Sequence, residues 1–180
     1  MLAYLFVVLA VAARFLILNI QPHPWHFTPV AASLLFFGAY GSRRQLWFPF
    51  VMLAASDVVL TRLIYHYPFM WDHFVTWAWY AGALALGTRL REHAKPLWIV
   101  AAALASSVSF FLLSNFAVWA CYNMYPKNWA GLMTSYTLAI PFFQRTLVSD
   151  LVFTSAMFAV PAIVHAVSEK VHGSGPAAAA

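Results

Sequence analysis

Apolar residues run through this chain in long blocks, and short segments rich in Pro, Tyr, Trp, His and basic residues separate the blocks. About 20 apolar residues rising 1.5 Å each cross the roughly 30 Å hydrocarbon core of a bilayer as an α-helix. By that measure the pattern predicts spans over Leu2 to Ile20, Phe27 to Tyr40, Phe48 to Tyr65, Phe74 to Thr88 and Leu97 to Ala120. The first has no basic segment ahead of it and reads as a retained span, not a signal peptide. The second ends at Gly41 and Ser42 and is short enough to need local thinning or its aromatic flanks. From Trp129 to Val167 the chain is almost wholly apolar. Pro141 lacks a donor N–H and crowds the preceding turn, so it is expected to divide this stretch. The pieces are a short interfacial or re-entrant helix, Trp129 to Ile140, and a sixth span. The expected fold is therefore all-α: an integral membrane bundle of six transmembrane helices plus that short helix. Residues 1–172 make one transmembrane domain. Residues 173–180 hold only Gly, Ser, Pro and Ala and read as a flexible low-complexity tail.

Composition closes off the soluble alternative. Hydrophobic residues make up 63% of the chain and charged residues 8%, at a mean hydropathy of +0.75, against about 25% charged in a soluble domain. The net charge of +5 does not point to nucleic acid, because the Lys and Arg stand in ones and twos at the ends of apolar blocks. They set orientation instead. With the N-terminus inside, Arg43, Arg44, Arg89, Arg91, Lys95 and Lys170 are cytoplasmic, and Lys127 and Arg145 lie outside. Six spans then place both termini in the cytoplasm. The opposite face receives the segments rich in Pro, His and aromatic residues. Cys121 is the only cysteine, which excludes an intrachain disulfide and a cysteine-based zinc site.

Two carboxylates fall inside expected spans, Asp57 and Asp150, and at that depth each costs several kcal/mol unless paired or hydrated. Arg14, Arg62 and Arg145 are the candidate partners in a buried polar network, which Asn19, Asn115 and Gln144 could complete. Two readings stand: a site for a polar solute or proton, or ion pairs that fix helix register. No Gly-x-Gly-Asp string precedes either aspartate, so intramembrane proteolysis is disfavoured and no catalytic residue is assigned. His23, His26, His66 and His73 gather on the outer face, but without the spacing of a ligand set. No metal and no cofactor is assigned. Tyr and Trp at the span ends read mainly as interface anchors, with a subset able to line an aromatic cup. Small residues recur four apart in Ala81 and Ala85, Ala83 and Gly87, Ala101 and Ala105, and Ala103 and Ser107. Such faces let helices approach closely, within the bundle or against a partner.

The strings His26-Phe27-Thr28-Pro29-Val30-Ala31-Ala32, Ser56-Asp57, Ser114-Asn115-Phe116-Ala117-Val118-Trp119 and Ala139-Ile140-Pro141-Phe142-Phe143 resemble an uncharacterised family of small bacterial multi-pass membrane proteins. That family is in turn similar to the substrate-binding S components of energy-coupling factor transporters. The resemblance implies a bacterial inner-membrane protein that binds a vitamin- or cofactor-like solute at its outer face and imports it without covalent chemistry. The pocket it implies would draw on His26, Phe27, Thr28, Pro29, His66, Trp71, Asn115, Trp119, Tyr125 and Gln144. Besides the lipid bilayer, the partners are then a small-molecule ligand and a membrane subunit, with no nucleic acid. The alternative is a non-catalytic accessory or assembly subunit of a larger membrane complex, docked through its Ala and Gly faces.

Overall fold

The computed structural model describes residues 1–16, 28–92 and 94–173. Among these it contains six α-helices and no strand: α1 (Leu2–Leu16), α2 (Val30–Tyr40), α3 (Trp47–Val59), α4 (Asp72–Arg89), α5 (Pro96–Cys121) and α6 (Trp129–Gly173). A 3-10 turn, Arg43–Gln45, leads into α3, and a π-helical turn, Leu60–Ile64, carries α3 onward. Residues 174–180 and residues 17–27, which include Asn19, His23, His26 and Phe27, lie outside the described residues.

Side-chain contacts sort the helix termini into two ends of the bundle. At one end, Tyr4 hydrogen-bonds Gln45, and Arg91 donates to the carbonyls of Gly38 (2.7 Å) and Gly41 (2.6 Å). This basic end gathers the start of α1, the end of α2, the start of α3 and the end of α4. At the other, Tyr122 Oη donates to Asp72 Oδ2 (3.1 Å), and Thr61 and His73 are 3.0 Å apart. That loop-rich end joins the π turn, the start of α4 and the end of α5.

Three stretches are long and apolar enough to cross a membrane: 43–64, Pro96–Cys121 and Trp129–Glu169. Six spans were expected, and over the described residues the other three helices fall short of that measure. The described part of α1 is only 15 residues. Helix α2 has 11 residues, about 16 Å at 1.5 Å each, and every residue from Ala31 to Ala39 is buried. It is a central post, screened from lipid by its neighbours. Helix α4 dilutes its apolar content with Asp72, His73 and a run of Trp and Tyr.

Helix α5 shows how the bundle is turned inside out relative to a soluble one. Its buried face is small and partly polar, with Ala102, Ala103, Ser106 and Ser107, while Val100, Leu104, Val108 and Leu112 are exposed at four-residue spacing. Branched apolar side chains on the outside suit hydrocarbon, and small ones inside let helices approach. The closest approach is between α2 and α4. A Cβ on Gly38 would stand 2.5 Å from the Leu84 carbonyl oxygen, and one on Gly87 would stand 2.5 Å from that of Leu35. Of the small-residue pairs, Ala83 with Gly87 and Ala103 with Ser107 are buried inside the bundle, whereas Ala81, Ala85, Ala101 and Ala105 stay exposed.

The division expected at Pro141 does not occur. Helix α6 runs unbroken from Trp129 to Gly173 through both Pro141 and Pro161, so no separate interfacial helix exists among the described residues. Packing on α5 to either side of the proline supports the continuous helix. Tyr136 Oη donates to the Leu112 carbonyl (2.9 Å), Ser135 to that of Asn115 (3.3 Å), and the Phe143 ring lies 4.6 Å from that of Phe111. One missing hydrogen bond is tolerated in such surroundings.

The glycine contact sets a stability test. Gly38→Val should cost about 1–3 kcal/mol, as overpacking typically does, seen as a lower Tm in detergent. Gly82→Ala should leave Tm unchanged, since nothing lies within 4 Å of its Cβ position.

Candidate functional site

Burial on α1 falls on Ala3, Val7 and Ala10, a spacing that continues to Arg14 and aims it into the bundle. On α3 the buried face is Leu53, Ser56 and Asp57. These two faces meet. The guanidinium of Arg14 contacts Asp57 Oδ1 at 2.5 Å through Nη2 and Ser56 Oγ at 2.6 Å through Nη1. From α4, Trp77 Nε1 donates to Asp57 Oδ2 (2.9 Å) and Tyr80 Oη to Oδ1 (3.2 Å). One carboxylate, only 6% exposed, therefore ties three helices together.

Asp150 is placed differently. It is 4% exposed on α6 and accepts a 2.6 Å hydrogen bond from Ser107 Oγ, and no cationic side chain among the described residues pairs with it. Its neighbour Ser149 donates to the Thr28 carbonyl at 3.4 Å, which brings the entry to α2 against α6. Between these groups lies a cavity of about 140 Å³ lined by Arg14, Thr28, Trp79, Tyr80, Phe110 and Asp150, with Thr146 beside them. Trp79 is fixed as its wall by donating to the Ser106 carbonyl (3.2 Å) and Ser109 Oγ (3.1 Å). The cavity lining thus combines a cation, a phenol, a carboxylate and two aromatic rings whose centroids lie 4.7 Å apart. Thr28, just before α2, marks its side toward the loop-rich end.

Of the residues expected in a pocket, Thr28 lines this cavity, and Pro29 is buried at the start of α2. His26 and Phe27 lie outside the described residues. The others are elsewhere. His66 is exposed in the turn after α3 with φ at 56°, Trp71 is 74% exposed, and Gln144 is exposed on α6. Asn115 Nδ2 bonds back to the Phe111 carbonyl (2.8 Å), and Trp119 Nε1 donates to that of Pro126 (2.9 Å). Tyr125 sits half-buried in the loop before α6.

Two members expected in the buried network need correcting. Arg62 and Arg145 are both exposed and pair with no carboxylate among the described residues. The reason is rotational: each is five residues from an aspartate, Asp57 or Asp150, hence about 140° around an α-helix from it. Conversely, Trp77 and Tyr80 belong to the network, each donating to Asp57 from α4, and no local sequence signal sets them apart from the other aromatics.

A second polar cluster closes the loop-rich end. His73 touches Asp72 and the Met70 carbonyl (both 3.1 Å) and stacks on Phe69 at 4.3 Å. Burial, and then Asp72, push the Tyr122 hydroxyl up to about 12, so it stays a neutral donor. Lys127 Nζ folds back onto the carbonyls ending α5, those of Trp119, Ala120 and Tyr122, where a helix favours a cation. No three His, Cys, Asp or Glu side chains converge among the described residues.

A helical bundle with three stretches long and apolar enough to cross a membrane, branched apolar residues outward and Arg14 and Asp57 paired inside is an integral membrane protein. More specifically, the chain belongs to the family of unknown function DUF6580, whose pattern matches residues 1–172. No curated protein and no solved structure matches the chain.

The ion pair can be tested by substitution. Asp57→Leu or Arg14→Leu alone should each cost roughly 3–5 kcal/mol by stranding the other charge. The double variant should recover part of that loss, read as a double-mutant cycle of unfolding in detergent.

Proposed function

We propose that this is a six-span protein of the bacterial inner membrane, with both termini cytoplasmic, that binds a small polar solute within the bundle and carries it inward. The observation that supports this best is Asp150: a buried carboxylate facing a cavity, with a serine as its hydrogen-bond partner and no ion pair among the described residues. Such a group costs several kcal/mol in a bilayer unless a ligand or proton meets it. An amine or ring N–H of the solute would meet Asp150, and Arg14 and Tyr80 would hold its electronegative side. Trp79 and Phe110, whose ring centroids lie 4.7 Å apart, would form one aromatic wall for a flat ring to pack against.

The cavity volume narrows the solute class. About 140 Å³ is close to the roughly 150 Å³ that holds a benzene molecule. A single nitrogen heterocycle or a small amine fits, and a vitamin with a long side arm would need the bundle to open. Solute capture from the loop-rich side, followed by a shift to a second arrangement of the helices, is the S-component-like mode of action. Arg43, Arg44, Arg89, Arg91 and Lys95 at the basic end support its assignment to the cytoplasm.

Thermal unfolding of the purified protein against a panel of amine-bearing heterocycles tests this reading. A true ligand at a hundredfold excess over its Kd should add about 2.7 kcal/mol of stability. Asp150→Asn should abolish that gain while the ligand-free protein keeps its Tm. If no compound stabilises the protein and it purifies instead with a fixed set of membrane subunits, the accessory-subunit reading holds.

A further inference from the structure

Beyond the intrabundle cavity, the outer surface carries a groove between α4 and α5. At the basic end it widens to about 870 Å³, lined on its apolar side by Leu86, Leu90, Trp98 and Ala102, with Arg43 and Arg89 at its edge. Leu86 and Ala105 are shared with a second compartment of about 690 Å³ that continues past Gly82 toward the loop-rich end. From Arg89 to Gly82 is about 10 Å along α4 and to Phe74 about 22 Å, at 1.5 Å per residue. An acyl chain occupies about half of the 30 Å core, so tails fit this length.

The charges at the basic end are in surplus. Arg43 and Arg89 pair with no carboxylate among the described residues, although Glu92 also borders the groove. Arg91 is spent on the end of α2. Burial, and then the charge of Arg43, hold its guanidinium below the usual range. An apolar slot that ends in unpaired guanidinium groups beside an indole is complementary to an amphiphile with a phosphate head. Basic pockets between membrane helices bind anionic headgroups in this way, and Trp prefers the headgroup level.

We propose that the groove between α4 and α5 is a site for an anionic glycerophospholipid, its phosphate held by Arg43 and Arg89 and its acyl chains laid along Leu86 and Ala105. This site is separate from the Asp150 cavity and does not depend on the solute-binding reading. The full-length protein in detergent, mixed with dioleoyl phosphatidylglycerol or dioleoyl phosphatidylcholine, can be weighed intact by native mass spectrometry. Retention of phosphatidylglycerol should exceed that of phosphatidylcholine on the order of tenfold. In the double variant Arg43→Gln with Arg89→Gln the preference should fall to near parity, while Arg44→Gln keeps it. Ala105→Leu, which fills the slot, should lower retention of both lipids. Equal retention by the unaltered protein, an undiminished preference in the double variant, displacement of the lipid by glycerol 3-phosphate alone, or a co-purifying membrane protein seated in the groove would each overturn the proposal.

Discussion

Everything in this bundle is arranged around the impossibility of leaving Arg14 and Asp57 apart in hydrocarbon. A charge at that depth costs several kcal/mol unless it is paired, so the helices that carry them must meet at one depth and one rotation. Salt-bridge contact at 2.5 Å fixes α1 against α3, and the donors Trp77 and Tyr80 bring α4 to the same point. A buried pair of this kind adds little net stability over an apolar replacement. Its effect here is on register: a helix slid by one turn would strand a charge. The cost of that alternative is what makes the arrangement single-valued.

Once α1, α3 and α4 are fixed, the rest follows by close packing of small residues. Gly38 and Gly87 allow α2 to press on α4 backbone to backbone, which places a short helix in the centre where lipid cannot reach it. Ala103 and Ser107 lie on the buried face of α5, and Ser107 donates to Asp150 on α6. Two aspartates of similar local sequence thus reach opposite states. Asp57 accepts from three donor groups, those of Arg14, Trp77 and Tyr80, and serves architecture. Asp150 keeps capacity to spare and faces a cavity, which is where binding chemistry is available.

The sequence makes the helices legible because the bilayer imposes length and apolarity directly. Helix α5 was expected from Leu97 to Ala120 and runs from Pro96 to Cys121, since Pro at a helix start and a polar turn at its end are local signals. Pro141 misled because its effect depends on what surrounds the freed carbonyl, and α5 stabilises the helix on both sides of it. The rarity of charge singled out Arg14, Asp57 and Asp150. Arg62 and Arg145 were equally rare, but which side of a helix faces inward is set by tertiary packing. Trp77 and Tyr80 were hidden for the opposite reason: among so many aromatics at span ends, nothing local separates a carboxylate donor from an interface anchor. The cavity beside Asp150 lies between helix faces, where only packing shows it.

The central claim is that a polar cavity beside Asp150 opens toward the bundle end opposite the termini. Thr146 lines that cavity on α6, one turn from Asp150. The most direct measurement places a cysteine there, Thr146→Cys in a Cys121→Ser background, in proteoliposomes of known orientation probed with a small, charged, membrane-impermeant thiol reagent. This account expects labelling from the face opposite the termini. Labelling only from the terminal face, or from neither face, would contradict it.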